Sequence, residues 1–167
     1  HEPSRRQRQM CIRDSDYNDD KKIDLKNIED SFASAANYIK NLGWNNDIPC
    51  FYKINLKDDI PLEFLNTSAK KLNNKRKVKY FSKYIENSDH LKQFNNLNSA
   101  IITPDVDIVK NAKKFSPAYI VFDNYDLILK WNRSLRFALA VCTLRDKFKD
   151  ESVSYTHLRA HETYLNL

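Results

Sequence analysis

The chain has 167 residues, of which 41% are hydrophobic and 30% charged, and its formal net charge is +6. It has no apolar run near the ~20 residues that a membrane-spanning helix needs, and an aromatic content of 12% is too high for an intrinsically disordered chain. We therefore expect a globular domain. Because charges of both signs are interspersed, the basic balance alone favours a solvated surface over a polyanionic partner.

The two ends differ in composition from the middle. Residues 1–15 and 152–167 hold five of the nine arginines, three of the four histidines and no lysine, whereas the middle holds all nineteen lysines. Both ends lack a sustained period and resemble translated sequencing-adapter DNA, so we predict non-native tails at 1–15 and 151–167 and a chain that is a fragment. The alternatives are a basic nucleic-acid or membrane arm at 1–15, and a metal site at His157 and His161, which lack an HExxH glutamate and a third ligand.

An acidic segment precedes the first predicted helix. In DYNDDKKIDLKN, Asp16, Asn18 and Asp20 occupy positions 1, 3 and 5 of an EF-hand-like loop, where alternate oxygen ligands converge on a cation. Position 6 is lysine instead of glycine, and position 12 is Asn27 instead of glutamate. Spacing alone therefore leaves a cation loop and an acidic helix-capping turn equally open. Asp30, one turn into the helix, is close enough to return a carboxylate to the loop.

The clearest periodic element covers residues 27–42, where apolar residues recur at helical spacing. They are Ile28, Phe32, Ala35, Ile39 and Leu42. The pattern predicts a helix that buries this stripe and leaves a neighbouring stripe of Ser31, Ser34 and Tyr38 free to face a groove. Gly43, the one glycine of the chain, follows where a helix needs a left-handed residue.

Three segments of the middle predict strands of a small sheet. Residues 49–56, 100–103 and 118–122 have the alternating or continuous apolar pattern of short strands. Residues 70–79 are basic and polar and predict an exposed loop, and residues 80–85 predict a short helix or strand.

Two helices are predicted after the sheet. The first begins with Asn124 as its cap and places Tyr125, Ile128 and Leu129 on one face, and the second begins after Ser134. The apolar stripe of the second helix consists of Phe137, Val141, Leu144 and Phe148. Cys11, Cys50 and Cys142 lie far apart without a Cys-x-x-Cys pair, which supports neither a disulfide scaffold nor a zinc site. Pairing of Cys50 with Cys142 is left open.

Several strings, taken in order, resemble the lytic murein transglycosylases of the B type, which have a lysozyme-like core. They are DYNDDKKIDL, DSFASAANYIKNLGW and PAYIVFDNYDLILKWNRSLRFALAVCTLRDKF. The dipeptides Asn37-Tyr38, Gly43-Trp44 and Trp131-Asn132 agree with the family in order and spacing. The resemblance covers about residues 16–150 and implies an α+β fold, a lysozyme-like helical core fragment with a small β-rich insert.

The resemblance implies cleavage of the β-1,4 bond between N-acetylmuramic acid and N-acetylglucosamine in peptidoglycan, without water, to leave a 1,6-anhydro sugar. In the family one glutamate acts first as acid and then as base, and it lies upstream of the acidic loop with a G-x-x-G-x-x-Q-F/M-x-P-S motif. This chain matches neither. Glu29, Glu63 and Glu86 fall where the family has no catalytic position, so we expect no catalytic residue here and no activity from this chain alone.

The resemblance also assigns metal and substrate positions. The calcium loop is matched by Asp16, Asn18, Asp20, the backbone carbonyl of Lys22, and Asp30, which replaces the ligand at position 12. The sugar groove is matched by Tyr38, Trp131, Asn132 and Phe137. Trp131 and Phe137 stand where the family has tyrosine, so their ring faces remain but the hydroxyls are lost. On the residues alone, Phe137 is better read as a core residue, Trp131 could equally be one, and Asn132 could be a simple helix-boundary residue.

We therefore predict part of a monomeric lytic transglycosylase of the periplasm or outer membrane that binds peptidoglycan glycan strands. A structural calcium ion is expected, with no organic cofactor, no nucleic acid, and membrane attachment only through a lipid anchor on a missing N-terminal part. The predicted domains are a tail (1–15), cation loop and core helix (16–48), β-rich insert (49–122), C-terminal core helices (123–150) and a second tail (151–167). The alternative is a noncatalytic peptidoglycan- or calcium-binding module. A basic nucleic-acid-binding domain ranks third, on charge alone.

Overall fold

The computed structural model describes residues 24, 26–106, 108–111 and 113–164, with side chains up to residue 150. The predicted tail 1–15 and four predicted calcium ligands lie outside the described residues: Asp16, Asn18, Asp20 and Lys22. The chain divides into two compact units between Asp47 and Ile48. Among the described helices, none combines the length and the apolar character that crossing a bilayer requires.

The first unit contains helix α1 (Ile28–Asn41), which confirms the helix predicted over 27–42. Asn27 caps it, because its side-chain oxygen accepts the backbone N–H of Glu29 at 2.9 Å. Gly43 has φ +99°, the left-handed conformation predicted for it. The backbone N–H groups of Gly43 and Trp44 return to carbonyls of the last turn, at 3.0 and 3.4 Å, and so terminate the helix.

The buried face of α1 differs from the predicted one. Ile28 and Phe32 are exposed, Phe32 to 73%, whereas Asp30 and Ser34 are buried. A period of 3.6 residues identifies the faces of a helix but not which face turns inward. Here the inward face carries Asp30, whose carboxylate accepts a backbone N–H, so its burial is compensated by a hydrogen bond.

The second unit is built on a small mixed sheet. Its strands are β1 (Phe51–Ile54), β2 (Leu65–Asn66), β3 (Arg76–Lys77), β4 (Asn98–Ile102) and β5 (Ala118–Val121). The order is β1-β5-β4-β2, and β3 also pairs with β4. Strand β2 runs parallel to β4, and the other pairs are antiparallel. The strands predicted at 49–56, 100–103 and 118–122 are confirmed.

The main apolar core lies between one face of the sheet and the segments around it. Ile101 and Ile120 are paired across β4 and β5 and have no exposed surface. Around them cluster Ile54, Leu56, Ile60, Phe64, Val78, Phe81, Ile85, Leu91, Ala118 and Phe122. Burying aliphatic and aromatic side chains of this size stabilises the fold by about 1.5–3 kcal/mol each.

The basic segment 70–79 is not simply the exposed loop that we predicted. Leu72 is buried, residues 76–77 form β3, and helix α2 (Val78–Phe81) begins at a buried valine. A 3₁₀ turn, Ser82–Tyr84, follows α2. Residues 80–85 thus adopt the short helical alternative, because Val78 and Phe81 are three residues apart and both reach the core.

Helices α3 (Asp123–Trp131) and α4 (Leu135–Tyr164) end the described chain. The prediction that Asn124 caps α3 is wrong: Phe122 precedes the helix, and the buried Asn124 amide donates to the carbonyl of Ile48 at 2.6 Å. Ser134 does cap α4, since its Oγ accepts the N–H of Phe137 at 3.2 Å. Helix α4 continues into 151–167, which we predicted to have no helical period. That this segment is a non-native tail stays a prediction.

The buried face of α4 also differs from the predicted stripe. Phe137, Leu144 and Phe148 are exposed, and the buried residues are Leu135, Ala138 and Cys142. The cause is a disulfide between Cys50 and Cys142, whose Cα atoms lie 6.0 Å apart. This bond, left open by the sequence, fixes one face of α4 against the residue that precedes β1. With its helices and small sheet, the chain has the α+β fold that the sequence predicted.

Candidate functional site: the acidic loop end and the α3–α4 corner

The end of the predicted cation loop is organised by carboxylates. Asp30 is only 1% exposed, and its Oδ2 accepts the backbone N–H of Asp24 at 2.9 Å. Asp24 in turn accepts the N–H of Lys26 through Oδ1 at 2.9 Å, and its carbonyl accepts the N–H of Asn27 at 2.8 Å. The Asp30 carboxylate therefore reaches back from the first turn of α1 to position 9 of the loop, as the sequence predicted.

The donor set at this loop end suits a hard cation. Calcium takes carboxylate, amide and carbonyl oxygens, and Asp30 brings a buried carboxylate to the loop, whereas Asn27 at position 12 uses its side-chain oxygen to cap α1. Within residues 24–150 as far as they are described, no three His, Cys, Asp or Glu side chains form a metal-binding group. The role of Asp30 as a calcium ligand stays a prediction.

A corner between α3 and α4 carries three of the four predicted groove residues. Trp131 is the last residue of α3, Asn132 follows it, and Phe137 lies in the first turn of α4. Trp131 is 50% exposed and Phe137 39%, so neither is a core residue. Asn132 is exposed, and its backbone N–H closes α3 on the carbonyl of Ile128 at 3.0 Å. The corner thus presents two aromatic rings and one amide at the surface.

The geometry of this corner is held by a buried tyrosine. Tyr125 has no exposed surface, and its hydroxyl donates to the carbonyl of Leu135 at 2.6 Å. Burial is the main reason that the pKa of Tyr125 lies far above its ordinary value, with a smaller contribution from Tyr119. The phenol is therefore neutral and remains a donor. The bond ties α3 to the start of α4 across residues 132–134.

Ion pairs connect both helices to loops of the sheet within the second unit. Arg136, in the first turn of α4, donates from Nη2 and Nε to Oδ1 of Asp105, at 2.7 and 3.1 Å. Lys75 pairs with Asp126 of α3 at 2.7 Å and lies 3.8 Å from Asp123. All these groups are partly exposed, which limits each pair to about 1 kcal/mol or less, so their contribution is orientation more than stability.

The fourth predicted groove residue, Tyr38, belongs to the first unit. It lies on α1, is partly buried, and stands one helical turn after the buried Ser34. The structure thus brings Trp131, Asn132 and Phe137 to one corner of the second unit and places Tyr38 on the helix of the first. Their assignment as substrate-binding residues stays a prediction.

Two features of the site were missed by sequence reasoning. The Cys50–Cys142 disulfide links positions separated by 92 residues, and no local spacing indicates it. Tyr125 was assigned to an apolar face, and its hydroxyl was given no role. The one available signal is that a buried tyrosine needs a hydrogen-bond partner for its hydroxyl, and this signal does not identify Leu135 as the partner.

Comparison with known proteins shows the family. The transglycosylase SLT domain family matches residues 12–146. The chain therefore belongs to the transglycosylase SLT domain family, as the resemblance in the sequence indicated. A comparison with curated protein sequences found no match.

Solved structures show the same fold. SltB3 from Pseudomonas aeruginosa, in complex with NAG-anhNAM-pentapeptide, is 24% identical with a TM-score of 0.66, over 85% of this chain and 36% of that one. Catenated lytic transglycosylase SltB1 from the same organism is 16% identical with a TM-score of 0.65, over 86% and 44%. Escherichia coli lytic transglycosylase Slt35, in complex with calcium, is 19% identical with a TM-score of 0.58, over 82% and 39%. The chain thus spans less than half the length of these relatives.

Proposed function

We propose that this chain is part of a B-type lytic transglycosylase that cleaves the β-1,4 bond between N-acetylmuramic acid and N-acetylglucosamine in peptidoglycan and leaves a 1,6-anhydro product. The observation that carries the proposal is the family match over residues 12–146, on a fold shared with SltB3. The SltB3 structure holds an anhydro-muramyl peptide, which has the chemistry of that product.

The proposal places the catalytic acid outside this chain. The family's G-x-x-G-x-x-Q motif needs two glycines, and this chain has only Gly43. The exposed Glu29, Glu63 and Glu86 lie at the start of α1 and in the insert, away from the corner residues in sequence. In the whole enzyme a protonated glutamate would protonate the glycosidic oxygen, and its carboxylate would then accept the proton of the 6-hydroxyl that closes on the anomeric carbon.

The proposed role of this chain is to bind and orient the glycan. Flat aromatic faces stack on the apolar faces of sugar rings, and an amide fixes ring hydroxyls. Exposed Trp131 and Phe137 supply the first kind of contact and Asn132 the second. Tyr38, on α1 of the first unit, is proposed as a separate aromatic contact to the glycan. Tyr125 acts as a positioning residue, because its hydrogen bond to Leu135 sets the turn on which Asn132 lies.

We further propose that the loop before α1 holds a structural calcium ion. Support comes from the Asp30 carboxylate folded onto the loop backbone at Asp24, and from the calcium complex of Slt35. The ion would supply the charge that holds the loop against α1. Asp16, Asn18, Asp20 and the carbonyl of Lys22 are its other proposed ligands.

The periplasm or the outer membrane is the proposed location, with the protein acting as a monomer. The Cys50–Cys142 disulfide supports this location, because such bonds persist in oxidising compartments and are rare in the cytosol.

Purified sacculi test the proposal. We expect the chain to bind sacculi and to release no anhydro-muropeptides, as detected by mass spectrometry. Trp131→Ala should weaken binding by up to about tenfold through loss of ring stacking, whereas Phe148→Ala, which also removes an exposed aromatic ring from the helical region, should not. Release of anhydro-muropeptides by this chain alone would show that the acid is present. If the two variants bind sacculi equally well, the α3–α4 corner is not part of the glycan-binding groove.

A noncatalytic peptidoglycan- or calcium-binding module is the second candidate, and the absence of the two-glycine motif favours it. Both candidates predict sacculus binding, so the genomic locus decides between them. An intact upstream frame with a glutamate and a Gly-x-x-Gly-x-x-Gln motif supports the enzyme. For calcium, a rise in melting temperature on adding the ion, lost in Asp30→Asn, is the expected result in either case.

A further inference from the structure

Positive charge is concentrated in one segment of the insert. Between the acidic residues Glu63 and Glu86 the sequence contains seven cationic side chains and no acidic one. They are Lys70, Lys71, Lys75, Arg76, Lys77, Lys79 and Lys83. The rest of the chain has 21 cationic and 22 acidic side chains (28 and 22 in all, less the seven cations of this segment), so this segment accounts for the excess of positive charge.

The fold anchors this segment by its apolar residues and leaves most of its cations outside. Val78 and Phe81 of α2 have no exposed surface and belong to the core. Arg76 and Lys77 form the short edge strand β3, in which both side chains are exposed, and Lys79 on α2 is exposed as well. Lys75 is the exception, since it pairs with Asp126.

Two tyrosines complete the surface. The Lys83 ammonium lies 5.0 Å from the ring centroid of Tyr80 and 4.6 Å from that of Tyr84. A hydrogen bond with Tyr84 is the largest cause that raises the pKa of Lys83, and Asp59 adds to it, so Lys83 stays charged. Lys57 donates from Nζ to the carbonyl of Lys83 at 2.9 Å and brings a further cation close. The basic–aromatic patch is defined here as Arg76, Lys77, Lys79, Tyr80, Lys83 and Tyr84.

We propose that the basic–aromatic patch binds the surface of a bilayer that contains anionic phospholipids. Clustered lysines on a short amphipathic element are attracted to anionic headgroups, and tyrosines favour the interface because one end of the ring is apolar and the other polar. This function is independent of glycan cleavage and adds a membrane contact made by the folded chain itself.

The composition of the patch favours lipid over other anions. A structured carboxylate or phosphate site relies on the rigid fork of arginine, whereas three of the four cations here are lysines, whose flexible stems suit a fluid headgroup layer. Single-stranded nucleic acid would stack its bases on open aromatic faces. Here Lys83 occupies a face of both tyrosine rings, which disfavours that partner.

Vesicle binding tests the proposal. The full chain is mixed with vesicles of phosphatidylcholine and phosphatidylglycerol in a roughly seven-to-three ratio, or of phosphatidylcholine alone, and sedimented. We expect binding to the anionic vesicles only, falling as salt rises. Replacing Lys77, Lys79 and Lys83 by glutamine should weaken binding on the order of a hundredfold, at about 1 kcal/mol per lysine. All three side chains are exposed, so an unchanged melting temperature verifies the fold.

The matched control removes the same charge elsewhere. Lys110, Lys113 and Lys114 are exposed and lie in a different loop, and their replacement by glutamine should leave binding within about threefold of the parent chain, because surface attraction falls off within a Debye length. Equal loss in the two triple variants, or equal binding to neutral vesicles, overturns the proposal. Tighter binding of a single-stranded oligonucleotide through the same three lysines would also overturn it and identify nucleic acid as the partner.

Discussion

Reducing the Cys50–Cys142 disulfide should destabilise the second unit strongly. The bond joins residues separated by 92 positions, so it closes most of the unit into one loop. With the chain-entropy relation for a loop of this length, the bond restricts the unfolded state by about 4.5 kcal/mol at 25 °C. Domains of this size are stable by only about 5–15 kcal/mol, so reduction should remove a large part of the total.

Urea denaturation with and without dithiothreitol measures this loss. We expect a clearly lower urea midpoint under reducing conditions, and no response to reductant in a Cys50→Ala/Cys142→Ala variant. Cys11→Ser is the matched control, since it leaves the bonded pair intact and should respond as the parent chain does. Alkylation of the unreduced, denatured chain should label one cysteine only. Three labelled cysteines, or a midpoint insensitive to reductant, would refute the disulfide and the face of α4 that it fixes.

Three smaller changes test the local geometry. Tyr125→Phe should cost about 0.5–1.5 kcal/mol, because it removes the hydrogen bond from the Tyr125 hydroxyl to the Leu135 carbonyl. Burial raises the pKa of Tyr125, so above the ordinary pKa of about 10 the unfolded chain loses a proton that the folded chain keeps. The free energy of unfolding of the parent chain should therefore fall as pH rises above about 10. The fall should exceed that of the Tyr125→Phe variant by up to about 1.4 kcal/mol per pH unit. Parallel pH slopes in urea titrations would contradict this. Ser134→Ala should cost about 1 kcal/mol as a lost cap, measured by the same titration, with Ser134→Thr nearly neutral. Gly43→Ala should cost about 1–2 kcal/mol from its φ of +99° alone, since an added Cβ meets no atom within 4 Å, and Gly43→Asn should lose less in thermal melts.

Local signals predicted most of the elements. The limits of α1, the left-handed glycine after it, the three main strands and the Ser134 cap depend on residues near in sequence, and each was identified. Strands β2 and β3 were not predicted, because each is two residues long and exists only where β4 offers a partner. Asn124 was taken for a cap because its amide suits one, whereas its bond to Ile48 depends on a contact 76 residues away.

The inward faces of α1 and α4 were both assigned wrongly, for one reason. Helix α4 carries two apolar stripes, one with Phe137 and Leu144 and one with Leu135, Ala138 and Cys142. Hydrophobicity alone favours burial of the first stripe, because its side chains are larger. The disulfide at Cys142 instead turns the second stripe inward. In α1 the buried Asp30 is decisive in the same way, since its carboxylate bonds to the loop backbone. A single strong, specific interaction outweighs the difference in apolar area between two faces of one helix.

The positions of the candidate site residues could be named from the sequence, whereas the exposed surface formed by the basic–aromatic patch could not. Trp131, Asn132 and Phe137 were assigned from the family resemblance, because the residues alone left a core position open for both aromatic rings. Their exposure at one corner is seen only in the structure, and their role as substrate-binding residues stays a prediction. The net charge of +6 did not indicate a basic surface, because a net charge does not show which part of the chain lacks acidic residues. Within the insert, Val78 and Phe81 turn their side chains into the core, and that anchoring leaves the lysines between and beside them, Lys77, Lys79 and Lys83, on one exposed segment. If burial of these two residues sets the orientation, Phe81→Ala should disperse the patch and weaken vesicle binding even though no charge is removed, whereas Phe148→Ala, an exposed aromatic outside the patch, should leave binding unchanged.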